Sequence, residues 1–99
     1  MSQNFPPRLH LTIVTPEKLL VETEADEVEL PGLDGYLGIL PGHRPLNTAL
    51  GNGTITFRRG SQEERYAVRG GFAEVSPESV LVITEISEVG VDRTNEEGG

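Results

Sequence analysis

No helix can form between residues 31 and 45. Pro31, Gly32, Gly35, Gly38, Pro41, Gly42 and Pro45 punctuate the stretch and surround one apolar piece, Tyr36-Leu37-Gly38-Ile39-Leu40. Proline lacks the amide donor a helix interior needs, and each glycine costs about 1 kcal/mol there relative to alanine. The stretch therefore reads as turns around one very short strand. The whole chain follows the same logic. With 12 glycines, 7 prolines and 35% hydrophobic residues, it favours many short strands joined by tight turns over long helices.

Period-two patterning supports this on both sides of the punctuated stretch. In residues 8–14, Leu9, Leu11 and Ile13 share one face and His10 and Thr12 the other, as on a half-buried strand. A second short strand is expected at 18–22, paired back on the first. In 25–30, Val28 and Leu30 are expected inward and Ala25, Glu27 and Glu29 outward, giving one wet sheet face. Residues 46–50 lead to Gly51-Asn52-Gly53, and Asn-Gly is a strong hairpin signal because both positions tolerate positive φ. A turn is accordingly expected there, before a strand at 54–58. Gly60-Ser61-Gln62 turns into 64–69, where Tyr66 and Val68 share a face, and Gly70-Gly71 separates this from 72–75. After Ser76-Pro77-Glu78, the run 79–84 is apolar on both faces, which suits a central strand covered on two sides. Strands at this spacing read as an all-β sandwich or flattened barrel.

Charge and composition narrow the function. There are 16 acidic against 8 basic residues, a formal charge of -8, and Lys18 as the sole lysine, so the clustered cations of a nucleic-acid binder are missing. The absence of cysteine removes disulfide scaffolds, thiolate zinc sites and cysteine nucleophiles. No apolar run reaches the roughly 18 residues that span a bilayer, and Met-Ser-Gln-Asn-Phe-Pro-Pro has neither a charged nor an apolar leader region. A soluble, non-secreted chain is expected, with a disordered lead-in at 1–7, one domain at 8–91 and a flexible tail at 92–99. A domain of this size buries roughly 60 to 70% of its unfolded surface, enough for one core.

A reactive centre is not evident. His10 lies on the polar face of its strand and reads as solvent-facing. His43 sits on a loop, a better place for function, but without partner ligands it makes no metal site. The spacing Gly32-x-x-Gly35-x-x-Gly38 differs from a dinucleotide fingerprint and precedes Ile-Leu-Pro-Gly rather than a helix. No Gly-x-Ser-x-Gly elbow occurs. Asn52-Gly53-Thr54 matches a glycosylation sequon by chance in a chain without a secretory signal. Glu24, Asp26, Glu27 and Glu29 read as a solvated strand face rather than a cation site. No metal or cofactor is expected, which favours a binding or structural component over an enzyme. Two other classes remain open: a small β-sandwich ligand-binding module, for which only Phe5, Phe57, Phe72, Tyr36 and Tyr66 could line a pocket, and a small hydrolase depending on His43.

The stretch Gly32-Leu33-Asp34-Gly35-Tyr36-Leu37-Gly38-Ile39-Leu40-Pro41-Gly42-His43-Arg44-Pro45-Leu46 closely resembles the G-x-x-G-x-[LF]-G-[IV]-x-P-G-H-x-P-[LF] stretch of the epsilon subunit of F-type ATP synthases. Leu9-x-Leu-x-Ile-Val-Thr-Pro is similar to that family's first strand, and Val68-Arg69-Gly70-Gly71-Phe72-Ala73-Glu74-Val75 to its Gly-Gly strand. The resemblance covers residues 8 to about 92 and implies a flattened sandwich of about ten short strands. It also implies a non-catalytic rotor part in the central stalk that couples proton or sodium flow to ATP synthesis. Such a part binds the gamma subunit and rests on the polar loops of the membrane c-ring.

By position, the resemblance implies that Asp34 and Tyr36 face the c-ring and that Thr15, His43 and Thr48 face gamma. Asp34 also suits a side-chain hydrogen bond within its turn. Tyr36 stands where the family pattern is frequently acidic or small, and its replacement is expected to spare the fold. Gly35, Gly38, Gly42, Gly70 and Gly71 read as structural glycines, serving positive φ or close approach. Family members usually continue into a two-helix C-terminal domain, which in some bacteria carries an ATP motif of the kind [IL]-D-x-x-R-A. Here Val91-Asp92-Arg93-Thr94-Asn95-Glu96 has Asn95 where the arginine belongs, so neither ATP binding nor an inhibitory helical arm is expected. The implied location is the cytoplasmic face of the bacterial inner membrane. With no basic patch for anionic lipid, attachment there would run through protein partners.

Overall fold

The computed structural model describes residues 7–84 and 90–92. Among them there are eight strands and no helix: β1 (Leu9–Val14), β2 (Leu19–Ala25), β3 (Glu27–Gly32), β4 (Gly35–Ile39), β5 (Leu46–Arg59), β6 (Gln62–Val75), β7 (Ser79–Ile83) and β8 (Gly90–Asp92). They hydrogen-bond in the order β2-β1-β7-β6-β5-β3-β4, with β8 also on β6. The pairings are antiparallel except for β1 with β7.

The all-β expectation holds, but the strand count falls below ten because two expected breaks lie inside strands. Gly51-Asn52-Gly53 sits within β5 and Gly70-Gly71 within β6, each 14 residues long. The β5–β6 hairpin instead closes at Gly60-Ser61, between the paired Arg59 and Gln62, where Gly60 has φ 62°. The glycine stretches change which face is buried. Leu50 on β5 and Val68 on β6 point into the core before the change, and Ile55 and Phe57 on β5 and Ala73 and Val75 on β6 after it. Even positions give way to odd ones along both strands. A strand of strict period two cannot do this without a local break. Gly70 and Gly71, at φ 68° and 120°, adopt a backbone that side-chain-bearing residues rarely take.

This switch carries the ribbon from one layer into the other. The buried residues of β1, β2 and β7 and those of β3 and β4 belong to one cluster, so the open sheet, with β2 and β4 at its edges, folds over a shared core. Leu9, Leu11, Ile13, Val28, Leu30, Ile39, Ile55, Val80 and Val82 are fully buried. Val28 and Leu30 point inward as their alternation predicts. Ala25 does not follow its expected outward placement: it ends β2 opposite Leu9 and is buried, because Asp26 breaks the alternation between β2 and β3.

β7 is central in the sheet, between β1 and β6, but the described residues do not cover it on two sides. Val80 and Val82 are buried while Ile83 is exposed. The expected lead-in and tail lie outside the described residues, apart from Pro7 and from Asp92, which pairs with Arg65 in β8.

Candidate partner interface

The punctuated stretch folds as a hairpin. β3 and β4 pair from Val28↔Ile39 to Gly32↔Gly35, leaving Leu33-Asp34 as a two-residue turn; Gly35 has φ 137°. Leu33 and Asp34 are exposed at the tip. The Asp34 carboxylate takes no hydrogen bond from the turn among the described residues. Gly38, read as a backbone device, has no positive φ, and a Cβ there would meet only the Glu27 carboxylate at an ordinary 3.6 Å.

Beside this hairpin the β3–β5 ladder slips. Glu29 pairs with Thr56 but Gly32 with Leu50, so β5 bulges past β3, opposite a proline that has no amide hydrogen to offer. The Tyr36 hydroxyl enters this gap and accepts the Thr54 N–H at 3.1 Å. Gly53 permits the approach: a Cβ there would fall 2.7 Å from both the Pro31 Cβ and the Tyr36 hydroxyl. Gly53 thus serves a close approach between neighbouring strands rather than a turn.

The structure does not bring Thr15, His43 and Thr48 into one patch. Thr15 is only 6% exposed. Its hydroxyl accepts the N–H groups of Glu17 (3.2 Å) and Lys18 (3.1 Å), and its own N–H donates to the Lys18 carbonyl, so it shapes the β1–β2 turn. His43 is half-buried on the β4–β5 loop, which Gly42 (φ 89°) ties down by donating to the Pro77 carbonyl. Its Nδ1 lies 2.7 Å from the Arg44 carbonyl; a carbonyl only accepts, so Nδ1 carries the hydrogen. Parallel pairing of β1 with β7 puts Thr15 and the Pro77 turn at opposite ends of these strands. Thr48, half-buried, is paired with buried Ala73 and shares its inward side, and its hydroxyl donates to the Ala49 carbonyl.

The feature that sequence reasoning missed is an apolar row on the outside of the first layer. The registers Leu19↔Val14, Val14↔Ile83, Ile83↔Phe72 and Phe72↔Ala49 align these side chains across five strands, a span of about 19 Å at the usual strand spacing. Phe72 is 50% exposed, Ile83 40% and Leu19 54%. The next row along the same face reads Glu22, Thr12, Leu81, Glu74 and Asn47, so the apolar strip borders a mixed one that carries two glutamates. The apolar row's signal in the sequence is the two-faced apolarity of 79–84.

The remaining surface offers little for catalysis or ligand capture. His10, exposed, has Nε2 3.1 Å from Glu22 Oε2. Outward charges on the second layer are paired among themselves, Arg58 with Glu27 and Arg65 with Glu63, both at 2.8 Å. Phe57 and Tyr66 stack with ring centroids 5.9 Å apart; Phe57 is buried and edges only a small cavity of about 60 Å³ whose other walls are the polar side chains of Thr23, Glu24, Arg59, Gln62 and Glu64. Among the described residues no group of three or more His, Asp or Glu converges on a metal position, and no helix is long and apolar enough to cross a membrane.

The sequence model of the ATP synthase delta/epsilon chain beta-sandwich domain matches residues 8–90. The chain belongs to this family. Among curated relatives, the ATP synthase epsilon chain of Moorella thermoacetica is 47% identical over 81 residues, 81% of this chain and 60% of that one. The epsilon chain of Solibacter usitatus is 43% identical over 84 residues, 85% of this chain and 63% of that one. The chain thus spans about 60% of the length of these relatives. The delta/epsilon sandwich also has solved counterparts. A chain in the cryo-EM structure of Euglena gracilis mitochondrial ATP synthase (OSCP/F1/c-ring, rotational state 1) superposes with TM-score 0.81 at 23% identity, over 92% of this chain and 57% of that one. One in the Tetrahymena thermophila mitochondrial ATP synthase central stalk/c-ring structure gives TM-score 0.66 at 12% identity, over 83% and 65%. At these identities the likeness establishes the fold alone.

Proposed function

We propose that this chain is the non-catalytic central-stalk subunit of an F-type ATP synthase, binding the gamma subunit through the outer apolar row and meeting the c-ring with the β3–β4 hairpin. The observation that carries the reading is the row itself. A sheet that leaves a phenylalanine, an isoleucine and a leucine aligned and exposed presents the contiguous apolar surface that marks a protein interface. Membership of the ATP synthase family supplies the kind of assembly.

The mechanics follow from the packing. A rotor part passes torque between two partners and must not deform, and a β-sandwich folded over one dense core is stiff because its interior is packed at crystal-like density. The row and the hairpin tip lie near one another: Ala49 ends the row and Leu50, next to it, pairs with Gly32, which flanks the Leu33-Asp34 turn. Two partners would thus be held in fixed register by adjoining parts of one rigid body, coupling ion translocation to ATP synthesis. Glu22 and Glu74 beside the row favour a partner with basic residues around an apolar centre. The subunit would be held at the cytoplasmic face of the bacterial inner membrane by these partners rather than by lipid. The ATP-motif expectation at Asn95 lies outside the described residues.

Reconstitution tests this. The chain mixed with gamma and c-ring is expected to give a stable assembly on size exclusion, with an interface of about 800 Å² per partner. No binding of gamma at micromolar concentration would overturn it.

A further inference from the structure

We infer that Tyr36 is a positioning residue: its hydroxyl takes the place of a missing ladder acceptor and fixes the angle of the β3–β4 hairpin against the bend in β5. The inference rests on the proposed function only where it concerns the ring.

Three observations converge on it. The ladder between β3 and β5 is interrupted between Glu29 and Gly32, which leaves Thr54 without a paired residue on β3. The Tyr36 hydroxyl accepts that N–H at 3.1 Å. Gly53, just before it, has no room for a Cβ against Pro31 and the tyrosine oxygen, each 2.7 Å away. Tyr36 pairs with Pro31 across the hairpin, so one side chain links β4, the proline of β3 and the bulged segment of β5. Its ring is 54% exposed, and exposure alone would make it look like a partner contact. Its hydroxyl is directed into its own fold.

The bond lies where the long ribbon changes layers. Without it, the hairpin would be held to β5 by the pairs at Glu27, Val28, Glu29 and Gly32, with slack between the last two. A hairpin free to rock there would carry Leu33 and Asp34 through a range of orientations. The hydroxyl removes that freedom, so a surface resting on the tip meets one geometry.

The test uses Tyr36→Phe, which keeps the ring over Gly53 and Pro31 and removes only the acceptor, with Gly53→Ala as a second variant that displaces the hydroxyl. Amide hydrogen exchange and amide chemical shifts are read on the 99-residue chain, and c-ring binding on its complex with gamma. In Tyr36→Phe, exchange at Thr54 is expected to rise about tenfold, the order of one net hydrogen bond. The Leu33 and Asp34 amide shifts should move in both variants, c-ring affinity should fall, and gamma affinity should stay unchanged. Unchanged Thr54 exchange in Tyr36→Phe overturns the inference. So does weaker ring binding with Thr54 protection intact, which would make Tyr36 a direct contact. Full ring affinity despite lost protection overturns it as well. If the unsubstituted chain itself fails to bind the ring, the ring contact under the proposed function is refuted, and Thr54 exchange with the tip shifts decides the positioning role alone.

Discussion

Asp26 accepts the Gly60 N–H at 2.7 Å through one carboxylate oxygen, while the Arg8 guanidinium holds the other at 2.9 Å. A residue between β2 and β3 thereby fastens the tip of the β5–β6 hairpin and the approach to β1. The Gly60 hydrogen bond, followed by Arg8, holds the Asp26 carboxyl below its ordinary pKa. A folded-state pKa below the unfolded one gives stability that is complete above about pH 4 and lost as pH falls through the folded value. Asp26→Asn keeps the shape and removes the charge. The melting-temperature gap between the two proteins is expected to be open near neutral pH and to close below about pH 4. A gap constant across that range would show that the carboxylate charge contributes nothing.

Gly71→Ala should be among the most damaging single substitutions. Its Cβ would meet the Ile83 carbonyl oxygen and lie 2.8 Å from the Thr84 Cα, at a φ of 120°. Backbone cannot swing aside as a side-chain tip can, so a loss of more than about 3 kcal/mol is expected in urea denaturation. Gly60→Ala is the control, with positive φ but nothing within 4 Å; it should cost about 1–2 kcal/mol. Similar losses at both sites would rule out steric contact as the reason for glycine at 71.

Phe72→Ala should separate binding from folding. The ring is half-exposed beside Ile83, so stability should change by no more than about 0.5 kcal/mol. If the row binds gamma, truncating a central aromatic should weaken affinity about 30-fold, the scale of a hot spot. Calorimetric titration of gamma checks this, and undiminished affinity would move the interface elsewhere.

Thr15→Val should behave in the opposite way. Valine matches the shape but cannot accept the N–H groups of Glu17 and Lys18, which leaves a buried turn short of its acceptor. A loss of about 1–2 kcal/mol in thermal unfolding is expected, and gamma affinity corrected for the folded fraction should be unchanged. A selective loss of gamma binding with no change in melting would return Thr15 to the interface.

Much of the fold was legible in the letters. Leu9, Leu11 and Ile13 alternate with polar neighbours and are fully buried, and the glycines and prolines of 31–45 enforce turns around a short strand. The errors lie at Gly51-Asn52-Gly53 and Gly70-Gly71. Glycine serves equally for a turn and for a bend inside a strand, and nothing local tells them apart. The continuous β5–β6 register does. The hydroxyl contacts of Thr15 were illegible for a related reason: a threonine at a strand end gives no sign of whether its hydroxyl turns outward or back to its own turn.

The amino-acid sequence by itself determined the class of structure, the family and the short strand within 31–45, because these depend on backbone freedom, period-two alternation and a long specific motif, all local in the chain. Only the tertiary structure decided which apolar residues remain uncovered and what Tyr36 does. Leu19, Val14, Ile83, Phe72 and Ala49 become one row through the registers of four strand pairs, and Tyr36 reaches Thr54 across 18 residues of chain. Such relationships arise from pairing between distant segments, which no window along the sequence contains.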